Sequence, residues 1–178
     1  MIRGTLKSWN DKIFQPKGWK VALLKDHKEV IPHLAEWGYQ TWRKYDKNLT
    51  KARLERGYTH RLHDDDAPLA LVVFGPKNQP IGTVSLDLHP PKALADMDAP
   101  DKVRLGGLYV EQAWRNQGIG GHLLALIAQI AKKLNYTELG WYTSDLTKVS
   151  WYIKQGAEYL FDKNLYNSRK VAIMRMVL

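Results

Sequence analysis

Cysteine is absent from the 178 residues. That excludes disulfides, thiolate-ligated metal and a cysteine nucleophile, so a covalent acyl-enzyme would need another nucleophile. No metal of any kind is expected. No low-complexity tract and no internal repeat is visible, and the composition is that of an ordinary globular protein. No apolar run approaches membrane-spanning length. The opening MIRGTLKSWNDKIFQ lacks the hydrophobic core of a signal peptide. An intracellular, cytoplasmic protein with no membrane partner is therefore expected. Two familiar phosphate loops are also missing. A P-loop needs Lys and then Ser or Thr after its last glycine, whereas Gly121 is followed by His122 and Leu123. A dinucleotide fingerprint through Gly118 and Gly120 would need glycine at 123, where Leu123 stands.

The charge is strongly one-sided. Lys and Arg number 27 against 18 Asp and Glu, for a net charge of +9. Such an excess favours polyanionic partners. The basic residues are scattered, however, and the seven tryptophans form no basic and aromatic stripe, so no nucleic-acid partner is expected. A small anionic cofactor accounts for part of the excess, and a solvated basic surface for the rest.

The most informative stretch is 103–134. VRLGGLYV reads as a strand ending at Val110, RNQGIGG as a glycine-rich turn, and HLLALIAQIAKKL as an amphipathic helix. Ile119, Leu123, Ile127, Ile130 and Leu134 recur at helical spacing. First-turn amides of a helix lack intrahelical partners and attract phosphate. Gly118, Gly120 and Gly121 leave the backbone open to close approach where a Cβ would block it.

The rest of the chain reads as a single domain of ordinary length. Residues 1–18 are expected to be an irregular N-terminal arm and 19–178 the domain. Strands are expected at 19–24, 69–74, 81–88, 103–110, 138–142, 157–161 and 170–177. Helices are expected at 30–45, 50–61, 119–134 and 147–155. Pro32 suits the first turn of its helix, while Asp26 and Glu29 at capping-box spacing point to an earlier start. Gly156 stops the last helix. Residues 89–102 form a long loop with three prolines.

The spacing of Arg115, Gly118 and Gly120 resembles the pyrophosphate loop of the GNAT superfamily of acetyl-CoA-dependent N-acetyltransferases. The order of elements over 19–178 is similar to that family as well. LGGLYVEQAWRNQGIG, ELGWYTSD, WYIKQGAEYL and VAIMRMVL further resemble a bacterial subgroup related to the actin N-terminal acetyltransferases. This chain differs in having Trp151 where the subgroup has Phe, and it is about two residues longer before that helix. The resemblance implies an α/β (α+β) fold: a mixed, mostly antiparallel sheet of about seven strands flanked by about four helices. Its fourth and fifth strands run parallel and splay apart to admit the pantetheine arm of acetyl-CoA. It implies acetyl transfer to a primary amine, small molecule or peptide, by direct attack in a ternary complex. It also leaves a homodimer open.

The resemblance assigns cofactor contacts to Leu108, Tyr109 and Val110 on the strand. It assigns Arg115, Asn116, Gln117, Gly118, Ile119, Gly120 and Gly121 to the pyrophosphate. Asp145 stands where many relatives place an asparagine that touches pantetheine, and N-capping of the next helix is its other reading. Lys148 and Lys154 face either coenzyme phosphates or solvent. The N–H of Val110 is implied as the donor polarising the thioester carbonyl. Tyr152, four residues before Gly156, is implied as the acid that protonates the leaving thiolate, or else as a ring packed on the sheet.

Free alkylamines have pKa values of about 10, so the acceptor must lose a proton. The central strand carries no carboxylate to take it. Asp87, Glu111 and His89 are the candidate bases, with a water relay as the alternative. Two acidic clusters, Asp96, Asp98 and Asp101 in one and Asp64, Asp65 and Asp66 in the other, point to a cationic acceptor met by an acidic rim. A GNAT-fold protein that binds acyl-CoA without efficient transfer is the alternative function, followed by a basic nucleic-acid-binding module.

Overall fold

The computed structural model describes residues 1–88, 102–165 and 169–178. Its strands are β1 (Lys20–Leu23), β2 (Leu69–Phe74), β3 (Pro80–Asp87), β4 (Lys102–Val110), β5 (Glu138–Thr143), β6 (Glu158–Asn164) and β7 (Lys170–Val177). They form one sheet in the order β1-β2-β3-β4-β5-β7-β6. Among the described residues only β4 and β5 pair in parallel; the other neighbours are antiparallel. β2, LALVVF, is buried along its whole length because helices cover both faces of the sheet there.

Five α-helices flank the sheet among the described residues: α1 (Ile2–Trp9), α2 (Ile31–Trp42), α3 (Lys51–Thr59), α4 (Ile119–Lys133) and α5 (Val149–Lys154). The apolar stripe of α4 buries Ile119, Leu123, Leu126, Ile127 and Ile130 on one sheet face, beside Ile2 and Leu6 of α1. On the other face, Ile31 and Leu34 of α2 and Tyr58 of α3 pack on Ala22, Val72 and Phe74. Thr50 caps α3, its Oγ1 accepting the Arg53 N–H at 3.1 Å. The expected capping box at Asp26 does not form. Asp26 accepts two bonds from the Arg3 guanidinium at 2.8 and 3.1 Å, and short 3₁₀ turns precede α2.

The first residues correct the expectation of an irregular arm. They are helical, and Ile2, Leu6 and Phe14 are core. Trp9 Nε1 donates to Gln129 Oε1 of α4 at 2.5 Å, and Lys133 Nζ donates to Thr5 Oγ1 at 2.8 Å. IRGTLKSW is too short to hold a helix alone, so α1 owes its order to α4. It is the helix beyond the four expected.

The feature that positions the site is the divergence of β4 from β5. Their parallel pairing stops after Arg104 and Gly140, although β4 continues to Val110 and β5 to Thr143. β5 pairs along its other edge with β7 throughout. The two strands therefore open a wedge at their C-terminal ends, with backbone left free for a ligand.

Candidate active site

A cleft of about 930 Å³ fills this wedge, bordered by 104–110 of β4 and 141–145 around the end of β5. A register shift between Thr83 and Ser85 of β3 marks a bulge in the pairing with β4, where Gly107 takes φ +57°. A Cβ there would make only ordinary contacts, 3.4 Å from Ser85 Oγ and 3.6 Å from Tyr58 Oη, so it is the left-handed backbone that favours glycine. Ser85 is fully buried, and its hydroxyl has no hydrogen-bond partner among the described residues.

Beyond Val110 the chain makes a short turn held by Glu111, whose carboxylate accepts the Ala113 N–H at 2.8 Å. Arg115 folds back, its Nε donating to the Val110 carbonyl at 2.9 Å and its guanidinium lying 5.5 Å from the Tyr109 ring. Asn116 (φ +61°) and Gly118 (φ +88°) turn the chain into α4. Gly118 is the N-cap residue and no side chain caps the helix, so the first-turn amides are left for an anion. The candidate cofactor residues Leu108, Tyr109, Val110, Arg115, Asn116, Gly118, Ile119, Gly120, Gly121, Asp145, Lys148 and Tyr152 all border the cleft, whereas Gln117 is exposed and does not. Lys154 does not border it either.

Tyr152 reaches the cleft from α5, half-buried between Trp141 and Trp151 at ring distances of 5.1 and 5.0 Å. Burial, with the Asp145 charge adding to it, pushes its hydroxyl up to about 12. It therefore holds its proton at any physiological pH. Asp145 is the N-cap of the turn before α5, its Oδ1 accepting from Thr147 N at 3.2 Å and Thr147 Oγ1 at 2.6 Å. Those bonds hold its carboxyl below the usual range.

The carboxylate candidates for general base are both engaged elsewhere. Asp87 takes a bidentate pair from Arg61 at 2.6 and 3.0 Å, and Glu111 holds its turn. A side chain at Gly106 would collide with the Asp87 carboxylate. His89 and the cluster Asp96, Asp98 and Asp101 lie outside the described residues. The other acidic cluster does not contribute to the expected rim. Asp64 pairs with Lys25 at 2.7 Å and Arg3 at 3.5 Å, Asp66 lies 3.4 Å from the Tyr136 hydroxyl, and none of Asp64, Asp65 and Asp66 borders the cleft.

Sequence reasoning missed the wall opposite the glycine turn. Lys44, Tyr45 and Arg53 come from the α2–α3 region, Tyr58 and Arg61 from α3 and its end, and Arg169 from the β6–β7 connection. One signal was available: Arg104 interrupts the apolar alternation of VRLGGLYV and is buried at 7 % exposure. Tyr58 carries a further consequence. Burial raises its hydroxyl from 10.0 to about 12. The folded state thus keeps a proton that the unfolded state releases above pH 10. Its contribution, about 3 kcal/mol, is fully present below pH 10 and lost as pH rises toward 12. Urea unfolding across pH 9–12 should show that fall, flattened in Tyr58→Phe.

The architecture is that of a mixed α/β acyltransferase fold. The family model for the GNAT acetyltransferases matches residues 31–156. The chain belongs to that family and is thereby an acyltransferase. It is similar to a GCN5-related N-acetyltransferase from Kribbella flavida, at 12% identity over 92% of this chain and 99% of that one, TM-score 0.69. It is also similar to a GNAT-family acetyltransferase from Streptococcus pneumoniae, at 15% identity over 90% and 99% of the two chains, TM-score 0.65. An aminoglycoside acetyltransferase, whose structure holds coenzyme A and kanamycin, is 15% identical over 89% and 94%, TM-score 0.66. No curated protein matches the chain in sequence. Among the described residues no group of three or more His, Asp or Glu side chains is placed to hold a metal ion, and no helix is long and apolar enough to cross a membrane.

Proposed function

We propose that the chain is an N-acetyltransferase that moves an acetyl group from acetyl-CoA to a primary amine by direct attack in a ternary complex. The observation that carries this reading is the wedge itself. An open pair of parallel strands runs into a helix N-terminus capped by Gly118, with the Tyr152 hydroxyl at the same cleft. The residues fit the coenzyme. Free β4 and β5 edges suit the amides of pantetheine, and the amides of residues 115–121 suit the pyrophosphate. Arg115 and Lys148 add positive charge at that end.

In this reading the Val110 N–H donates to the thioester oxygen. A fixed donor facing developing charge contributes on the order of 3 kcal/mol. Tyr152 gives its proton to the departing thiolate. Asp87 and Glu111 being held by structural bonds, water and backbone carbonyls take the amine's proton. Asp145 acts through its cap, setting the angle at which α5 presents Tyr152. The acceptor is a small molecule or a peptide; the compartment is cytoplasmic, and neither nucleic acid, membrane nor metal takes part. The sequence resemblance to the bacterial subgroup related to actin N-terminal acetyltransferases supports fold and cosubstrate within this reading, and a homodimer is compatible with it.

A panel of primary amines with acetyl-CoA, read by release of free coenzyme thiol, tests the proposal. Amine-dependent thiol release with an acetylated amine by mass spectrometry is the expected result. Tight acetyl-CoA binding without turnover of any amine would assign the protein to acyl-CoA binding instead.

A further inference from the structure

A row of rings runs from α2 to the glycine-rich turn. Leu108 and Val110 pack on the core beside α4. Side chains alternate along a strand, so Tyr109 points to the opposite face of β4, that of α2. There its ring lies 5.0 Å from the ring of Trp37, at an interplanar angle of 35°. Trp37 is half-buried, packs against the cluster that includes Ile31 and Leu34, and meets the His33 ring edge-on at 4.7 Å. The same Tyr109 ring carries the Arg115 guanidinium at 5.5 Å.

Arg115 is in turn tied to the end of β4. The Glu111 N–H donates to the Ile81 carbonyl at 3.0 Å, and Tyr109 and Val110 stand opposite Thr83 and Gly82. Hydrogen bonds in an antiparallel pair fall on alternate residues. Val110 therefore turns its N–H and C=O away from β3, toward the wedge. Its carbonyl receives the Arg115 Nε at 2.9 Å. This bond clasps residues 110–115 into a closed loop directly before Gly118 and the uncapped amides of α4. Arg115 is exposed, and holding an exposed arginine in one folded-back form costs rotamer entropy. A tyrosine ring that is itself packed on Trp37 offsets that cost by giving the guanidinium a fixed face.

We infer that Tyr109 and Trp37 are positioning residues for the cosubstrate: their rings seat Arg115 on the end of β4, and Arg115 holds the turn whose amides take the pyrophosphate. The inference rests on the acetyl-CoA reading of the cleft and adds α2 to the parts that bind the coenzyme. Trp37 does not border the cleft, so it acts only through Tyr109 and Arg115.

A double-mutant cycle read by calorimetric titration with acetyl-CoA tests it. Arg115→Gln should raise Kd at least about tenfold, since hydrogen bonds to charged groups are the strong ones. Tyr109→Leu should raise it about fivefold and Trp37→Leu about threefold, while Tyr109→Phe, which keeps the ring, should stay within about twofold of wild type. In the Arg115→Gln background the effects of Tyr109→Leu and Trp37→Leu should vanish, because the group they act through is gone. Effects that persist in full beside Arg115→Gln assign both rings to packing alone and overturn the inference. So does wild-type affinity in the Arg115→Gln, Tyr109→Leu or Trp37→Leu single variants, or a loss in Tyr109→Phe as large as in Tyr109→Leu. Should Tyr109→Leu fail to fold by circular dichroism, the cycle of Trp37→Leu with Arg115→Gln decides by the same criterion. A wild-type protein that does not bind acetyl-CoA overturns the reading beneath; one that binds it with an additive cycle overturns this inference alone.

Discussion

Acetyl-CoA affinity should fall by about two orders of magnitude in Gly120→Val. Gly120 is in the first turn of α4, where the amides stand uncapped above the cleft. Its Cβ position is 3.4 Å from the Trp151 ring and 3.7 Å from a Val110 methyl, which is ordinary contact. A Cβ is therefore accommodated, and the two methyls of valine are expected to narrow the approach to the amides. Losing one or two charge-assisted hydrogen bonds to pyrophosphate, at about 1.5–3 kcal/mol each, gives roughly a hundredfold in Kd. Calorimetric titration with acetyl-CoA measures this, with circular dichroism to verify folding. A folded variant that binds as tightly as wild type would remove residues 115–121 from the pyrophosphate site.

Tyr152→Phe should bind acetyl-CoA normally and transfer slowly. The substitution keeps the ring between Trp141 and Trp151 and removes only the hydroxyl. With its pKa pushed up to about 12, that hydroxyl is a neutral donor over the whole working range. It meets a thiolate without first being charged itself, and the loss of general acid catalysis should cost about 10²-fold in the single-turnover rate. The wild-type enzyme should show no loss of activity from Tyr152 ionisation below about pH 11, since the burial that raises the pKa disfavours the phenolate. An unchanged single-turnover rate in Tyr152→Phe would leave the residue a packing role only.

Both predictions concern a half of the site that is written locally. The strand VRLGGLYV, the turn at Arg115 to Gly118 and the helix from Ile119 are contiguous, and each is dictated by short-range rules: alternation, left-handed backbone, helical spacing. The same holds for Gly156 and for Thr50 as a cap. The N-terminal helix was illegible because IRGTLKSW needs Gln129 and Lys133 to become ordered, and those partners are more than a hundred residues away. The Asp26 capping box failed for a related reason: a distant arginine, Arg3, offered two charged hydrogen bonds where the box offers weaker ones.

By itself, the sequence determined the element order from β1 onward, the glycine-built helix N-terminus and the identity of the residues along one edge of the cleft, because these depend on neighbours within a turn or two. Tertiary structure decided the other edge. Lys44, Arg61, Arg104 and Arg169 are scattered over the chain, and only the tertiary fold brings them to the border of one cleft. The acidic cluster at 64–66 shows the converse. Asp64 is drawn to Lys25 and Arg3, away from the cleft, because an ion pair forms wherever the fold brings opposite charges within reach, and linear proximity of like charges carries no such information.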